Sequence, residues 1–173
     1  MLLEGRNAGV YGAGGALGGA VSRAFAREGA AVFLTGRRRA PLEAVATKIR
    51  AAGGAAETAV VDADAEQAVE EHAQVVVDRA RSLDISINLI GVDHIQGRPL
   101  VEMSPADFTL GLEARVRTHF VTARAAARRM VRQRSGVILI SRQPRTGSPS
   151  PTWAASASRM PPWRDSPVPS PPS

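Results

Sequence analysis

The sequence predicts an α/β fold, a doubly wound parallel sheet with helices on both faces. Three observations carry that expectation. Short apolar segments alternate with helix-like ones up to about residue 140, a glycine-rich turn joins the first pair, and Gly, Pro or Ser punctuates most later boundaries.

The elements follow in order. GVY (9–11) ends a first strand, and ALGGAVSRAFARE (16–28) has the apolar spacing of a helix packed on a sheet, stopped by Gly29. AVFLT (31–35) reads as a short buried strand. Pro41 is placed to open a helix through LEAVATKIRAA to the Gly53-Gly54 stop. ETAVVD (57–62) is a third strand, 65–82 a third helix and ISINLIG (85–91) a fourth strand. Ser104-Pro105 opens a further helix, with Ser104 as N-cap and Asp107 at the capping-box position. That helix runs to about Gln133, with a possible break near Gly111, before GVILI (136–140) as a fifth strand.

Composition narrows the function. The 173 residues suit one domain with a sizeable core. No apolar run approaches the roughly 20 residues of a membrane span, and MLLEGRNAG does not read as a secretory signal. The absence of cysteine excludes disulfides, thiol redox chemistry and Cys-ligated zinc. A cytoplasmic protein is expected. The net charge of +6 suggests nucleic acid, yet Lys48 is the only lysine, a bias that GC-rich coding produces. With no aromatic stacking platform and no recognised motif, nucleic-acid binding is not expected.

The chain divides into a body, 1–140, and a tail, 141–173. Nine of the 12 prolines and both tryptophans fall in the tail, which lacks helical or strand periodicity. Prolines at that density deny the backbone its ladder hydrogen bonds, so a disordered or loosely attached segment is expected. A natural extension, an interaction segment and an out-of-frame reading would each give such a tail. The abrupt change just after GVILI favours a frameshift, or a truncation of equivalent effect.

Between the first strand and the first helix lie Gly12, Gly14, Gly15 and Gly18. A turn of this kind lets the backbone approach a pyrophosphate, with N–H groups and a helix N-terminus facing it. A tight turn alone would also want glycine, but the strand–turn–helix context favours a dinucleotide. The next strand ends in Thr35-Gly36-Arg37-Arg38-Arg39, without the carboxylate that an NAD-type site offers to the ribose hydroxyls. Guanidinium groups at Arg37 and Arg38 suit a 2′-phosphate, which favours NADP over NAD.

Taken together, these features resemble the short-chain dehydrogenase/reductase family over about residues 5–140. Its Thr-Gly-x-x-x-Gly-x-Gly motif corresponds to Tyr11 through Gly18, with Tyr11 in place of Thr, Ala16 in place of the middle glycine, and Leu17 before the last. Asp62-Ala63 matches the acidic position after strand three that contacts adenine in relatives. Asn88-Leu89-Ile90-Gly91 occupies the Asn-Asn-Ala-Gly motif, keeping Asn88 and Gly91. The resemblance implies a Rossmann-type sheet in the order 3-2-1-4-5. It also implies hydride transfer between NADP(H) and a small carbonyl or alcohol substrate.

The catalytic half departs from the family. Relatives use Tyr-x-x-x-Lys after strand five, the tyrosine exchanging a proton with the substrate oxygen. Here the only tyrosine is Tyr11 and the only lysine Lys48, so no such pair exists and no catalytic residue is assigned. Arg115 falls where relatives carry asparagine, and Ser141 comes one or two residues early for their serine. The chain as written is expected to bind cofactor weakly and not to catalyse; the alternative is a non-catalytic NADP-binding or interaction module with a Pro-rich tail.

The remaining candidates are weaker. His72, His94 and His119 show no metal-site spacing, although His94 lies near where nicotinamide would sit. ARAAARRMVRQR (123–134) reads as a solvated helix face opposite Phe120, Val121, Ala127 and Val131. In relatives the matching helix joins a dimer interface, which implies an oligomer for a complete fold. A face of the sheet stripped of later helices would expose apolar surface and lower solubility.

Overall fold

The computed structural model describes residues 1–91 and 99–141. Most of the tail and His94 lie outside the described residues. Five parallel strands form one sheet in the order β3-β2-β1-β4-β5. In chain order the elements are β1 Asn7–Tyr11, α1 Ala16–Arg27, β2 Ala31–Gly36, α2 Arg39–Ala51, β3 Ala56–Val60, α3 Glu66–Ala80, β4 Ile85–Asn88, α4 Pro105–Gln133 and β5 Val137–Ile140. Both the fold and the strand order are those expected from the sequence.

The chain falls into two units. Residues 1–95 with 104–142 hold the sheet and its four helices. The other unit, 96–103 with 143–173, is described only at 99–103. There Leu100–Glu102 form one 3₁₀ turn, with the Glu102 N–H on the Pro99 carbonyl at 3.0 Å.

Two cores sandwich the sheet. Strand side chains alternate between faces, so Ala8, Val10, Val32 and Leu34 enter one core and Tyr11 and Phe33 the other. On the first face α2 presents Leu42, Val45, Ala46 and Ile49, the i, i+3, i+4, i+7 stripe of a packed helix. Burying each large aliphatic side chain there contributes about 1.5–3 kcal/mol. α1 packs closer, through Gly18, Gly19 and Ser22, and the Ser22 hydroxyl donates to the Gly18 carbonyl at 2.7 Å. α3 and α4 close the opposite core, with Val69, Val76, Val121, Ala125 and Met130 at its centre.

Several boundaries shift for identifiable reasons. β1 begins at Asn7, whose amide donates to Ser82 Oγ at 2.8 Å and to the Ala80 carbonyl at 3.1 Å. A polar residue thus enters a strand without losing its hydrogen bonds. α2 begins at Arg39, so Pro41 sits inside the first turn rather than opening it. β4 ends at Asn88, three residues before its expected limit, because the Asn88 side chain takes the Ile90 N–H at 3.0 Å. α4 runs without a break, with Gly111 on its buried side. Its capping box forms as expected: the Asp107 N–H reaches Ser104 Oγ at 3.1 Å, and the Ser104 N–H reaches Asp107 Oδ2 at 3.2 Å.

The basic run on α4 is oriented differently from the expectation. Phe120 and Val131 are exposed, whereas Arg129 is buried. The inward stripe of α4 is Thr118, Val121, Thr122, Ala125, Ala126, Arg129 and Met130, and Arg129 falls within that register. Glu70 on α3 makes its burial tolerable. Arg129 pairs with the Glu70 carboxylate, and its second guanidinium nitrogen donates to the Glu70 carbonyl at 3.1 Å and Gln74 Oε1 at 3.3 Å. Burial alone would raise the Glu70 pKa, but the bond and charge of Arg129, joined by Arg128, outweigh it and hold the carboxyl low.

Candidate functional site

The sequence-derived candidates gather on one edge of the sheet. Gly12, Gly14, Gly15, Ala16, Leu17 and Gly18 follow β1, and Arg37 and Arg38 follow β2. Asp62 and Ala63 follow β3, while Asn88 to Gly91 end β4. Strand order therefore lays them out as acid, arginines, glycine turn and Asn88 segment. The order in which strands are added to the sheet reverses between β1 and β4, and ligands of open α/β sheets bind in the crevice at such a switch point.

The glycines of the turn do different jobs. Gly12 has φ +77°, and a Cβ there would lie 2.8 Å from the Leu89–Ile90 peptide. A Cβ on Gly18 would sit 2.1 Å from the Gly12 carbonyl oxygen, so only glycine lets α1 come this close to the turn. At Gly14 a Cβ would meet Pro41 at 2.9 Å, which presses the start of α2 onto the turn. Gly15 meets only the Gly12 oxygen, at 3.4 Å. Ala16, where relatives carry glycine, is exposed at the first helical position.

The first turn of α1 is left open to an anion. Its N-cap, Gly15, has no capping side chain, and no acidic residue lies in that turn. Gly19 to Gly15, at 2.8 Å, is the first backbone bond of the helix, so the N–H groups of Ala16, Leu17 and Gly18 precede the intrahelical ladder. These N–H groups and the positive end of α1 offer donors to an anion such as a pyrophosphate.

Neighbouring strands hold the turn in place. The Thr35 carbonyl accepts both the Gly12 N–H at 2.9 Å and the Ala13 N–H at 3.1 Å, while its buried hydroxyl donates to the Val10 carbonyl. The sequence marks Thr35 only as the end of the second strand, before Gly36 and the basic run. Arg37 and Arg38 are exposed just beyond it. Asp62 is exposed and accepts the Asp64 N–H at 3.1 Å, an Asx turn that leaves carboxylate lone pairs for a further donor. Ala63 is buried beside it.

Asn88 is a buried junction. Its amide nitrogen donates to Thr122 Oγ1 on α4 at 3.2 Å, and its side-chain oxygen takes the Ile90 N–H. Its backbone carbonyl accepts the Ser141 hydroxyl at 3.0 Å. Ser141 therefore serves the junction, and Thr122 is a contributor that sequence reasoning missed. Among the described residues no cluster of three or more metal-ligating side chains forms. No described helix is long and apolar enough to cross a membrane.

The only tyrosine and the only lysine of the sequence lie away from this edge. Tyr11 is buried in the α3/α4 core, edge-on to His72 with ring centroids 6.3 Å apart. Burial pushes its hydroxyl pKa up strongly, with Glu70 adding to the rise and Arg129 opposing it. Lys48 is exposed in the last turn of α2, at the end that leads back to the start of β3.

Known proteins share this fold. The profile of the family described as short chain dehydrogenase matches residues 6–158, running past β5 into the Pro-rich segment. A short chain dehydrogenase of Pseudocercospora fijiensis (strain CIRAD86) is 31% identical over 159 residues, covering 90% of this chain and 50% of its own length. A metagenomic short-chain oxidoreductase solved in complex with NADP superposes with a TM-score of 0.71 at 30% identity, over 81% of this chain and 63% of that one. An NAD+-bound xylitol dehydrogenase superposes equally well, with a TM-score of 0.71 at 29% identity over 81% and 54%. The chain spans about half the length of the curated relatives it matches. Sheet order, glycine turn and match agree, and on that basis the chain belongs to the short chain dehydrogenase family.

Proposed function

We propose that this chain binds NADP(H) in preference to NAD(H), and that as written it does so without transferring hydride. The observation that carries the reading is the uncapped first turn of α1, flanked at the end of β2 by Arg37 and Arg38 and by no carboxylate. Ala16, Leu17 and Gly18 would offer N–H groups to the pyrophosphate, and the two arginines would take the 2′-phosphate. Asp62 and Ala63 would border the adenine, and Asn88 and Gly91 the nicotinamide half. When bound, the nicotinamide supplies or accepts a hydride. In the whole family fold the counterpart would be a small carbonyl or alcohol, in a cytoplasmic and oligomeric enzyme. In this chain neither buried Tyr11 nor distant Lys48 can exchange a proton with a substrate on that edge.

Calorimetric titration of the 173-residue chain tests the reading. NADPH should bind roughly tenfold or more tightly than NADH, and Arg37→Ala with Arg38→Ala should erase the difference. Equal affinities in the unaltered chain would refute the preference. The origin of residues 141–173 is tested on the gene. Translation of codons 130–173 in all three frames should restore a serine and then Tyr-x-x-x-Lys if the tail is read out of frame. If no frame restores it, the chain is a non-catalytic binding module with a genuine tail.

A further inference from the structure

The buried junction at Asn88 has a fixed hydrogen-bond polarity. The Thr122 hydroxyl donates to the Thr118 carbonyl one helical turn back, at 2.8 Å, so its lone pairs face outward. It must therefore accept from Asn88, and the group that points at it must be the amide NH2. That choice turns the Asn88 side-chain oxygen to the Ile90 N–H. The peptide so held is the one against which Gly12 rests: a Cβ on Gly12 would lie 2.8 Å from Ile90 N and from Leu89 C and O. Leu89 is tied to the same place, its N–H on the Tyr11 carbonyl at 2.9 Å.

We infer that Thr122 is a positioning residue for the nucleotide site, acting through the orientation of the Asn88 amide. Thr122 and Asn88 are both buried, so removing the acceptor strands an amide donor away from water and frees the side chain from the partner on α4 that fixes it. The Asn88 oxygen would then hold the Ile90 N–H less firmly, and the 88–91 segment would shift from Gly12. That segment closes the β4 side of the crevice, whereas Arg37, Arg38 and Asp62 stand on the other side of β1. Thr122 should thus control the nicotinamide half of the site and leave the adenosine half alone.

The inference rests on the proposed NADP binding, and the test separates the two. The unaltered chain, Thr122→Val and Thr122→Ser are titrated with NADPH and with adenosine 2′,5′-bisphosphate, which lacks the nicotinamide half. Val keeps the shape without the acceptor, and Ser keeps the acceptor. Thr122→Val should weaken NADPH by roughly tenfold. The bisphosphate should bind it as it binds the unaltered chain, and Thr122→Ser should restore NADPH. Equal weakening of both ligands would reduce Thr122 to a general stabilising contact and overturn the inference, as would unchanged NADPH affinity. Failure of the unaltered chain to bind either ligand would overturn the proposed function itself, and the inference with it. Amide exchange at Ile90 gives a second readout that does not depend on ligand: it should quicken in Thr122→Val and recover in Thr122→Ser. Unchanged exchange would overturn the inference.

Discussion

β4 and β5 run side by side in register, Ile85 against Val137 and Ile87 against Leu139. Paired residues of a parallel ladder point to the same face, so these are neighbours of like chemistry. Their fates differ. Ile85 and Ile87 are each 8% exposed, whereas Val137 and Leu139 are 53% and 40% exposed. The core beneath α1 and α2 takes in β4 and holds no β5 residue. Burial of a strand is therefore decided by the helix above it, not by its own composition.

The largest break in this contrast should come from Gly18→Val on the covered side. Its side chain would collide with the Gly12 carbonyl, and we expect a loss of about 3 kcal/mol or more together with loss of NADPH binding. Denaturant titration and calorimetry would measure the two losses. Next, the in-register pair tests the comparison itself. Ile87→Ala should cost about 2–4 kcal/mol, whereas Leu139→Ala should cost less than about 1 kcal/mol. Equal costs in urea unfolding would show that β5 is covered as well as β4.

A pH effect of similar size belongs to the opposite face. His72 is half-buried, its inward Nε2 without a hydrogen-bond partner. Burial, aided by the charge of Arg79 and opposed by Glu57, holds its pKa down to about 4. The unfolded chain, with an ordinary histidine near 6.5, takes up this proton first. Stability contributed by neutral His72 is thus full above about pH 6.5 and falls, on the order of 2–3 kcal/mol in all, as the pH drops toward 4. His72→Phe should flatten that slope in melts between pH 7 and 4.5, and an unchanged slope would assign it to other groups. The smallest effect is expected on the bare face. Val137→Thr with Leu139→Thr should leave stability within about 0.5 kcal/mol while raising the concentration at which the chain stays monodisperse in light scattering.

The sequence was most legible where one residue type has one physical use. Gly12 and Gly18 were visible because a positive φ and a sub-van-der-Waals approach admit little else. Ser104, Pro105 and Asp107 announced the start of α4 because capping geometry is local. Features that depend on a distant partner were not legible. The burial of Arg129 needs Glu70, fifty-nine residues away, and the early end of β4 needs an amide held by Thr122, thirty-four away. The exposure of β5 was expected only from the later helices that the family resemblance implies, not from GVILI itself, since a short apolar run does not record whether a helix lies over it.

The central claim is that the nucleotide edge is complete on the covered side of the sheet, apart from α4's outward face and β5. Hydrogen–deuterium exchange of the 173-residue chain, with and without saturating NADPH, tests it most directly. The account predicts slowed exchange at 12–19, 36–39, 62–64 and 88–91, with 108–120 and 137–140 unchanged. Protection centred on α4 and β5, or none at the glycine turn, would contradict it.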